Sequence, residues 1–440
     1  MRNIVWIAIG VVLVLAIILV LNLLWLAVFG SNEAPIGFAD GTLVINMPNL
    51  PFWVYLLSIL ALLLALGWLF RSVGRRITKG TPEFRDMTYG VAFGYAFGSF
   101  AIATGILLYT QSGAAIFFRW TVQAFIVFAI AAFVFRLLGR NVGTFGSRKL
   151  FREMPLTAAF GIMIILIYAI LSIFAGVIAP HGQEDVFAKV NVLPGGNPAL
   201  GGDPNFPLGT DQIGRDLLSR LIYGAQNTVG IAFATTLLAF SIGGTLGFLA
   251  ATLGGWLDQV LSRAVDVLMA IPALIFALLL MTIASAWAGN EPWKLTLYMI
   301  LIIAVIDSTR VFRLARAVGA NIVVMDYIEA AKLRGEGLPY LIFKEILPNA
   351  TAPLLAEFGL RFCFVFLTIA SLSFLGVGIQ PPLADWGTMV RDLSQFINFA
   401  AFSPLTAALP LLAAGAIALL TVAVNFVVDW MLHKSSGLKE

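Results

Sequence analysis

The sequence predicts an all-α polytopic membrane protein, and both its composition and its patterning lead to that fold class. Of the 440 residues, 60% are hydrophobic and 11% are charged, whereas about a quarter of residues are charged in a typical soluble domain. The mean hydropathy is +0.95. The apolar residues are gathered into runs of about 20, which is the length that crosses a bilayer as a helix.

About ten runs reach this length and are candidate transmembrane helices. In chain order they are Ile4–Phe29, Phe52–Phe70, Val91–Tyr109, Ala115–Phe135, Leu156–Ile178, Thr228–Leu253, Ala264–Trp287, Leu295–Val318, Ala352–Leu375 and Leu405–Trp430. The first run is longer than the apolar core of about 7–15 residues in a signal peptide, so we expect it to be retained. The eighth is the least apolar, because Asp307 and Arg310 follow its clean apolar part.

The basic residues predict how the chain is oriented. Most of the 27 Lys and Arg residues fall in the connections that face the cytoplasm if the N-terminus is cytoplasmic. Cytoplasmic loops carry an excess of Lys and Arg. We therefore predict that both termini face the cytoplasm.

The longest outer connection, residues 179–227, begins with a Gly-, Pro- and Asn-rich part that is not expected to be regular. An amphipathic helix is predicted after it, capped by Thr210 or Asp211. Its apolar face would carry Ile213, Leu217, Leu218 and Leu221. Two acid–base pairs at a spacing of four, Asp211–Arg215 and Asp216–Arg220, would support that helix.

The sequence lacks the motifs of several kinds of chemistry. One cysteine and two histidines cannot form a thiolate metal site. A G-x-x-x-x-G-K-[ST] phosphate loop is missing, so we expect no ATP hydrolysis by this chain. H-E-x-x-H and G-x-S-x-G are missing as well. We therefore predict no catalytic residue, no bound cofactor or metal, and no nucleic-acid partner.

Four charged residues within the apolar runs are candidate functional groups: Asp266, Asp307, Glu357 and Arg361. Ionisable residues inside a span are costly and usually functional. Two simpler interpretations stay open. Glu357 and Arg361 are four residues apart and could neutralise each other, while Asp266 and Asp307 could lie at half-solvated cytoplasmic ends of their helices. A chain of acids crossing the membrane, as in a proton relay, is not evident.

Two further patterns concern the helices themselves. Gly243, Gly247 and Ala251 recur every four residues, a pattern that lets helices approach closely, either within the chain or at a subunit interface. Pro272 and Pro410 are expected to kink their helices.

The polar segment "EAAKLRGEGLPYLIFKEILP", Glu329 to Pro348, lies in the predicted cytoplasmic connection 319–349. We expect one short helix before Gly335 and a second amphipathic one after it, ended by Pro348, with the next span beginning near Asn349 or Thr351. Small side chains at Ala330 and Ala331 would allow another backbone to approach. This pattern favours a docking surface for a cytoplasmic partner over a plain connector.

This segment resembles a signature of ABC importer permeases. "EAAKLRG" followed by "IFKEILPN" is similar to the family's E-A-A-x-x-x-G loop, which couples the membrane subunit to an ATP-hydrolysing subunit. "PLGTDQIGRDLLSRLIYGA", "GGWLDQVLSRAVDVLMAIP" and "SLSFLGVGIQPPLADWGTMV" resemble the C-type permease subunit of dipeptide, oligopeptide and nickel importers. The similarity extends over about residues 156–429, more than half of the chain.

The resemblance implies a six-helix permease core at residues 151–440 of a bacterial plasma (inner) membrane protein. It implies a homologous second permease, two ATP-binding subunits that hold ATP and Mg²⁺, an extracytoplasmic substrate-binding protein, surrounding lipid, and a peptide substrate. The residues that would contact the ATPase subunit are Glu329, Ala330, Ala331, Gly335, Lys344, Glu345 and Pro348. Gly335 would be the joint of the loop.

This chain departs from the family pattern in three places. Glu345 stands where the family commonly has histidine, and the usual D-x-L-D-P ending is missing. Residues 1–150, with about four predicted spans, lie outside the usual core and could pack against it, bind lipid or contact an accessory protein. The alternative functions are a stand-alone ion-coupled secondary transporter and, behind it, a membrane-embedded enzyme.

Overall fold

The computed structural model describes residues 36–39, 42–45, 88–110, 115–142, 144–289, 291–399 and 403–435, with a few isolated positions between residues 11 and 72. The chain divides into two units, Met1–Phe125 and Ile126–Glu440. In the first unit, strands β1 (Ile36–Ala39) and β2 (Thr42–Ile45) form an antiparallel hairpin. All other regular elements in the described residues are helical.

The helices of the described residues fall at the following positions. They are α1 (Tyr89–Thr110), α2 (Ala115–Asn141), α3 (Phe145–Glu153), α4 (Leu156–Ile178), α5 (Leu217–Gly224), α6 (Gly230–Leu253), α7 (Gly255–Met269), α8 (Ala273–Ala288), α9 (Pro292–Val323), α10 (Asp326–Leu333), α11 (Leu338–Tyr340), α12 (Leu347–Phe374), α13 (Trp386–Leu393) and α14 (Pro404–Ser435). Wider π-helical turns, Ala225–Val229 and Leu341–Ile346, join α5 to α6 and α11 to α12.

The long apolar helices confirm a polytopic all-α membrane protein. Within the described residues, six segments are long and apolar enough to cross a membrane, or seven if one bent pair of helices counts as a span. The six are Trp120–Asn141, Leu156–Ile178, Leu217–Leu253, Pro292–Val323, Leu338–Phe374 and Leu405–Lys434. Helix α1 contains the predicted third span. The first two predicted spans, Ile4–Phe29 and Phe52–Phe70, lie outside the continuously described residues.

The kink expected at Pro272 is confirmed, and it divides the predicted span Ala264–Trp287 between two helices. Helices α7 and α8 meet at an angle of 89°, with the break at Ala270–Pro272. Pro272 precedes α8 and has no N–H with which to continue the helix. Because α7 is amphipathic, it is suited to lie along a surface while α8 is apolar.

Helices α6 and α9 approach closely along the predicted stripe of small residues. A Cβ atom at Gly243 would meet the Ser308 carbonyl oxygen and the Val311 side chain of α9. One turn further, a Cβ at Gly247 would lie 2.7 Å from the Phe312 carbonyl oxygen. The small residues therefore pack within the chain, as one of the two interpretations predicted.

Helices α2 and α3 pack on the core from Ile126 onward. Phe128 makes an edge contact with Phe160 of α4, at 6.1 Å between ring centroids. At the other end, Glu153 Oε2 lies 3.3 Å from Lys434 Nζ of α14. These contacts are few, since most of the large apolar side chains of α2 are exposed, and the role of residues 1–150 stays open.

The outer connection begins its helix later than predicted. Helix α5 begins at Leu217, and the Asp216 carboxylate accepts the N–H groups of Leu218 and Ser219. Asp211 instead closes a turn and forms the predicted pair with Arg215, at 2.7 Å between Oδ2 and Nε. The predicted Asp216–Arg220 pair is not formed in the described residues, because Asp216 is occupied by its cap contacts.

The outer connection also contains an ion pair that its sequence spacing did not indicate. Lys189 Nζ donates to the largely buried carboxylate of Asp203. This hydrogen bond holds the pKa of Asp203 below its usual range. Although it lacks regular elements, this part of the chain is therefore fixed by specific contacts.

Candidate functional site

The polar loop between α9 and α12 anchors its first helix with two apolar side chains. Ile328 and Ala331 of α10 are fully buried against a cluster that includes Phe248 and Ile346. Glu329 and Ala330, predicted with Ala331 to contact a partner, are exposed. The two alanines therefore differ in their surroundings. Ala331 is buried and anchors the helix, and Ala330 lies on its exposed surface.

Large apolar side chains are exposed around this helix. Val324 is 78% exposed and Leu333 is 84% exposed, and Tyr327 and Phe343 are exposed as well. We call these four residues the loop surface. Exposed apolar side chains that recur within one short segment of the chain favour an interaction site there. Sequence reasoning identified the charged and small residues of the loop but not the exposed Val324, Tyr327 and Leu333.

Gly335 ends α10 in a left-handed conformation, with φ of +82°. The Glu336 N–H donates to the Ala331 carbonyl oxygen at 3.2 Å, and the Gly335 N–H donates to that of Lys332 at 2.9 Å. These two bonds form a Schellman cap, which favours glycine at this position. The predicted break at Gly335 is therefore confirmed as a feature of the fold.

The predicted stop at Pro348 is wrong, because the helical path from Leu338 to Phe374 is continuous. Pro348 occupies the first turn of α12, directly after a π-helical turn. Proline is tolerated there because its missing N–H is not needed for a helical hydrogen bond. Asn349 Nδ2 donates to the Glu345 carbonyl oxygen, and Thr351 Oγ1 donates to that of Leu347. These side chains therefore bond back along the helix and do not begin a new one.

Glu345 contacts a cation of the preceding turn. Its Oε1 atom lies 3.9 Å from Arg334 Nη2, and Arg334 also lies 3.9 Å from Glu336. Glu345 is half-buried, while Lys344 beside it is exposed. The glutamate thus links the two sides of the Gly335 turn.

Three of the four predicted intramembrane charges come together between α9 and α12. Arg361 Nη1 lies 3.8 Å from Asp307 Oδ1, and Arg361 Nε lies 2.7 Å from Glu357 Oε1 without the alignment of a hydrogen bond. Arg310 Nη1 lies 3.7 Å from the same Asp307 oxygen. We call these four residues the charge cluster. Two acids and two bases balance its charge.

The position of the charge cluster differs from that predicted for its parts. Asp307 lies about halfway along α9 and is buried, so it is not a solvated end residue. Arg310 was not among the candidate residues, although its spacing of three from Asp307 placed both on one helix face. Asp266 is exposed on α7 and does not belong to the charge cluster.

Next to the predicted outer connection, Asp385 holds α13 against the π-helical turn that contains Thr228. It caps α13 by accepting the Thr388 N–H at 2.8 Å, and it accepts the Thr228 hydroxyl at 2.9 Å. Burial raises its pKa, and these hydrogen bonds oppose that shift. Trp386 is buried next to it, and its Nε1 donates to the Leu221 carbonyl oxygen. The outer loop is thus fastened to the helices of the core.

Comparisons with known proteins agree with this architecture. Residues 243–435 match the family model of the binding-protein-dependent transport system inner membrane component. The chain is 36% identical over 245 residues to the dipeptide transport system permease protein of Haemophilus influenzae, covering 55% of this chain and 79% of that protein.

Two further relatives are similar over the same extent. The di/tripeptide transport system permease protein of Pseudomonas aeruginosa is 32% identical over 240 residues, or 54% of this chain and 76% of the relative. The peptide transport system permease protein of Escherichia coli is 34% identical over 244 residues, or 55% and 78%. With the helical membrane core of residues 126–435, these matches show that the chain belongs to the ABC importer permeases of the dipeptide and oligopeptide family.

Proposed function

We propose that this chain couples the closure of ATP-binding subunits to alternating access in a binding-protein-dependent importer of di- and oligopeptides. ATP and Mg²⁺ are held by two ATPase subunits, and a homologous second permease completes the membrane pathway. The peptide substrate is supported by the names of the relatives, which transport dipeptides, di/tripeptides and peptides. An extracytoplasmic protein delivers the peptide, and both termini face the cytoplasm.

The observation that carries the coupling proposal is the exposed loop surface on an anchored helix. Val324, Tyr327, Leu333 and Phe343 are exposed apolar residues of the loop, and Glu329 and Lys332 are exposed charged residues of α10. Apolar groups at the centre and polar groups at the rim are the usual anatomy of a protein interface. Because Ile328 and Ala331 fix α10 from below, a partner that moves α10 also moves the helices under it.

The continuous helix from Leu338 to Phe374 provides the path for that movement. A helix transmits displacement along its axis because each turn is hydrogen-bonded to the next. Any shift at Leu338 therefore reaches α12, which carries Glu357 and Arg361 of the charge cluster. The turn at Gly335 is where α10 changes its direction relative to this helix.

The test uses a bulky substitution on the free surface of α10. Ala330→Trp enlarges an exposed residue without touching the buried contacts of Ala331. We expect the purified complex to lose its ATPase subunits, or to keep them and lose ATP-driven peptide uptake in proteoliposomes. Ala320→Trp, at an exposed position of α9, is the matched control and should leave both unchanged.

A different result would favour the stand-alone secondary transporter. In that case uptake would persist in ATP-depleted vesicles and would collapse when an uncoupler removes the ion gradient. The Ala330→Trp protein would then transport as well as the control.

A further inference from the structure

The charge cluster exposes one member far more than the others. The Arg310 side chain is 43% exposed, whereas Asp307 is 6% exposed and Arg361 is 11% exposed. The Asp307 carboxylate beside Arg310 is buried and Glu357 is 23% exposed, so the most accessible charge of this neutral cluster is positive.

Charged groups on a membrane-crossing helix are costly in lipid, and they usually face the bundle interior or a water-filled cavity. The opposite side of α9 is already packed, since Ser308 and Val311 contact Gly243 of α6. Arg310 therefore lies on the face that α9 shares with α12. Such a face borders either a water-filled pathway or another subunit.

The surroundings of Arg310 orient its guanidinium group. Asp307 Oδ1 lies 3.7 Å from Nη1 on one side, and the Phe364 ring centroid lies 5.9 Å from the guanidinium carbon. Phe364 itself is half-exposed and also contacts Arg361, at 4.6 Å. A planar guanidinium with free N–H groups matches a carboxylate through two parallel hydrogen bonds.

The cluster is also short of hydrogen bonds. Among the described residues, Arg361 Nε, Arg361 Nη1 and Asp307 Oδ1 are buried without a hydrogen-bond partner. Buried polar groups are normally paired, and an unpaired one is costly. A fixed ion-pair network built for stability alone would be expected to satisfy these atoms.

We propose that Arg310 is a carboxylate-binding residue of the transport pathway, oriented by Asp307 and Phe364. Its ligand is a carboxylate of the transported peptide, either the C-terminal group or an acidic side chain. The inference rests on the proposed transport of peptides. Arg361 acts through Asp307, because it shares the carboxylate that orients Arg310. The apolar ring of Phe364 offers a surface to the neighbouring peptide side chain.

The experiment is photolabelling of the assembled complex in lipid nanodiscs, without the binding protein. The probe is a trialanine analogue with photoleucine in the middle position, prepared as the free acid and as the C-terminal amide. We expect the free acid to label the helices around residues 307–313 and 357–364 about tenfold more than the amide, as loss of one charge-assisted hydrogen bond predicts.

Three variants separate binding from folding. Arg310→Gln should reduce labelling by the free acid to that of the amide, and Arg310→Lys should restore part of it. Arg313→Gln, one turn further along α9 and in contact with Met269 Sδ at 3.7 Å, is the matched control and should behave as the unaltered complex.

Several outcomes would overturn the proposal. These are equal labelling by acid and amide, no labelling of these helices, or labelling insensitive to Arg310→Gln. Loss of the second permease from the Arg310→Gln complex would instead show that Arg310 pairs with an acid of that subunit. ATP-driven peptide uptake by the unaltered complex distinguishes the two proposals. If the complex takes up no peptide, the proposed function is contradicted. If it takes up peptide but is not labelled, only the Arg310 site is contradicted.

Discussion

Arg334 and Glu345 face each other across the Gly335 turn, with Nη2 and Oε1 3.9 Å apart. Arg334 is largely exposed, and exposed ion pairs contribute at most about 1 kcal/mol. The pair therefore orders the loop more than it stabilises the protein. Glu345 thus has a structural partner in this chain.

Replacing Glu345 with glutamine should loosen the loop and leave global stability nearly unchanged. Amide hydrogen exchange should become faster in residues 334–346, because the contact across the turn is lost. Lys344→Gln, at the exposed neighbouring position, is the control and should not change exchange there. Equal exchange in the two variants would show that the ion pair has no role in ordering the turn.

Gly335 should tolerate asparagine better than valine. A Cβ atom there has open space within 4 Å in the described structure, so the cost of a substitution comes from the φ of +82° and not from a clash. A residue with a Cβ costs about 1–2 kcal/mol in this conformation, and asparagine is better tolerated in caps. Denaturant titration of the purified protein measures both variants, and equal loss for Val and Asn would contradict the conformational argument.

Gly243 and Gly244 are adjacent glycines at which alanine should have opposite effects on stability. Alanine at Gly243 would press on the Ser308 carbonyl of α9, whereas a Cβ at Gly244 meets no described atom within 4 Å. We expect Gly243→Ala to destabilise the protein by about 1–3 kcal/mol.

The second substitution is the control, since Gly244→Ala should be neutral or stabilise by up to about 1 kcal/mol. Thermal unfolding in detergent compares the two proteins directly. If Gly244→Ala destabilised the protein more than Gly243→Ala, that result would contradict the close approach of α6 and α9.

Asp307→Asn should be among the most destabilising single changes within the spans. It leaves Arg361 and Arg310 without the carboxylate that both approach. Removing one partner of a buried pair costs about 3–5 kcal/mol.

The double variant Asp307→Leu, Arg361→Leu should recover much of that loss, because it removes one charge of each sign and leaves Arg310 and Glu357. Unfolding by dodecyl sulfate in mixed micelles is the measurement. A double variant as unstable as the sum of its single variants would mean that the two side chains do not interact.

Much of the fold could be predicted because apolar length determines a membrane helix. Runs such as Leu156–Ile178 and Thr228–Leu253 recur in the structure with small changes at their ends. The sharp bend at Pro272 could not be predicted in size, since proline permits a kink and neighbouring packing sets its angle. The start of α5 was missed because Thr210, Asp211 and Asp216 are equally good caps locally.

The candidate site was predicted in part for the same kind of reason. The turn at Gly335 follows from the conformational freedom of glycine, so sequence alone located it. The contact between Asp307 and Arg361 joins residues 54 positions apart on different helices, and spacing along one helix carries no information about it. The spacing of four residues predicted the pair of Glu357 and Arg361, but it could not predict that Arg310 is exposed.

The unbroken helix from Leu338 to Phe374 makes Phe343 of the loop surface and two members of the charge cluster parts of one rod, about 55 Å long at 1.5 Å per residue. Glu357 and Arg361 travel together on this rod, so their separation is insensitive to its motion. Asp307 belongs to α9, so its distance from Arg361 changes whenever the rod moves relative to α9. The distance from Arg361 to Asp307 therefore measures the relative displacement of the two helices. A pair of spectroscopic labels placed at those positions would report that displacement during turnover.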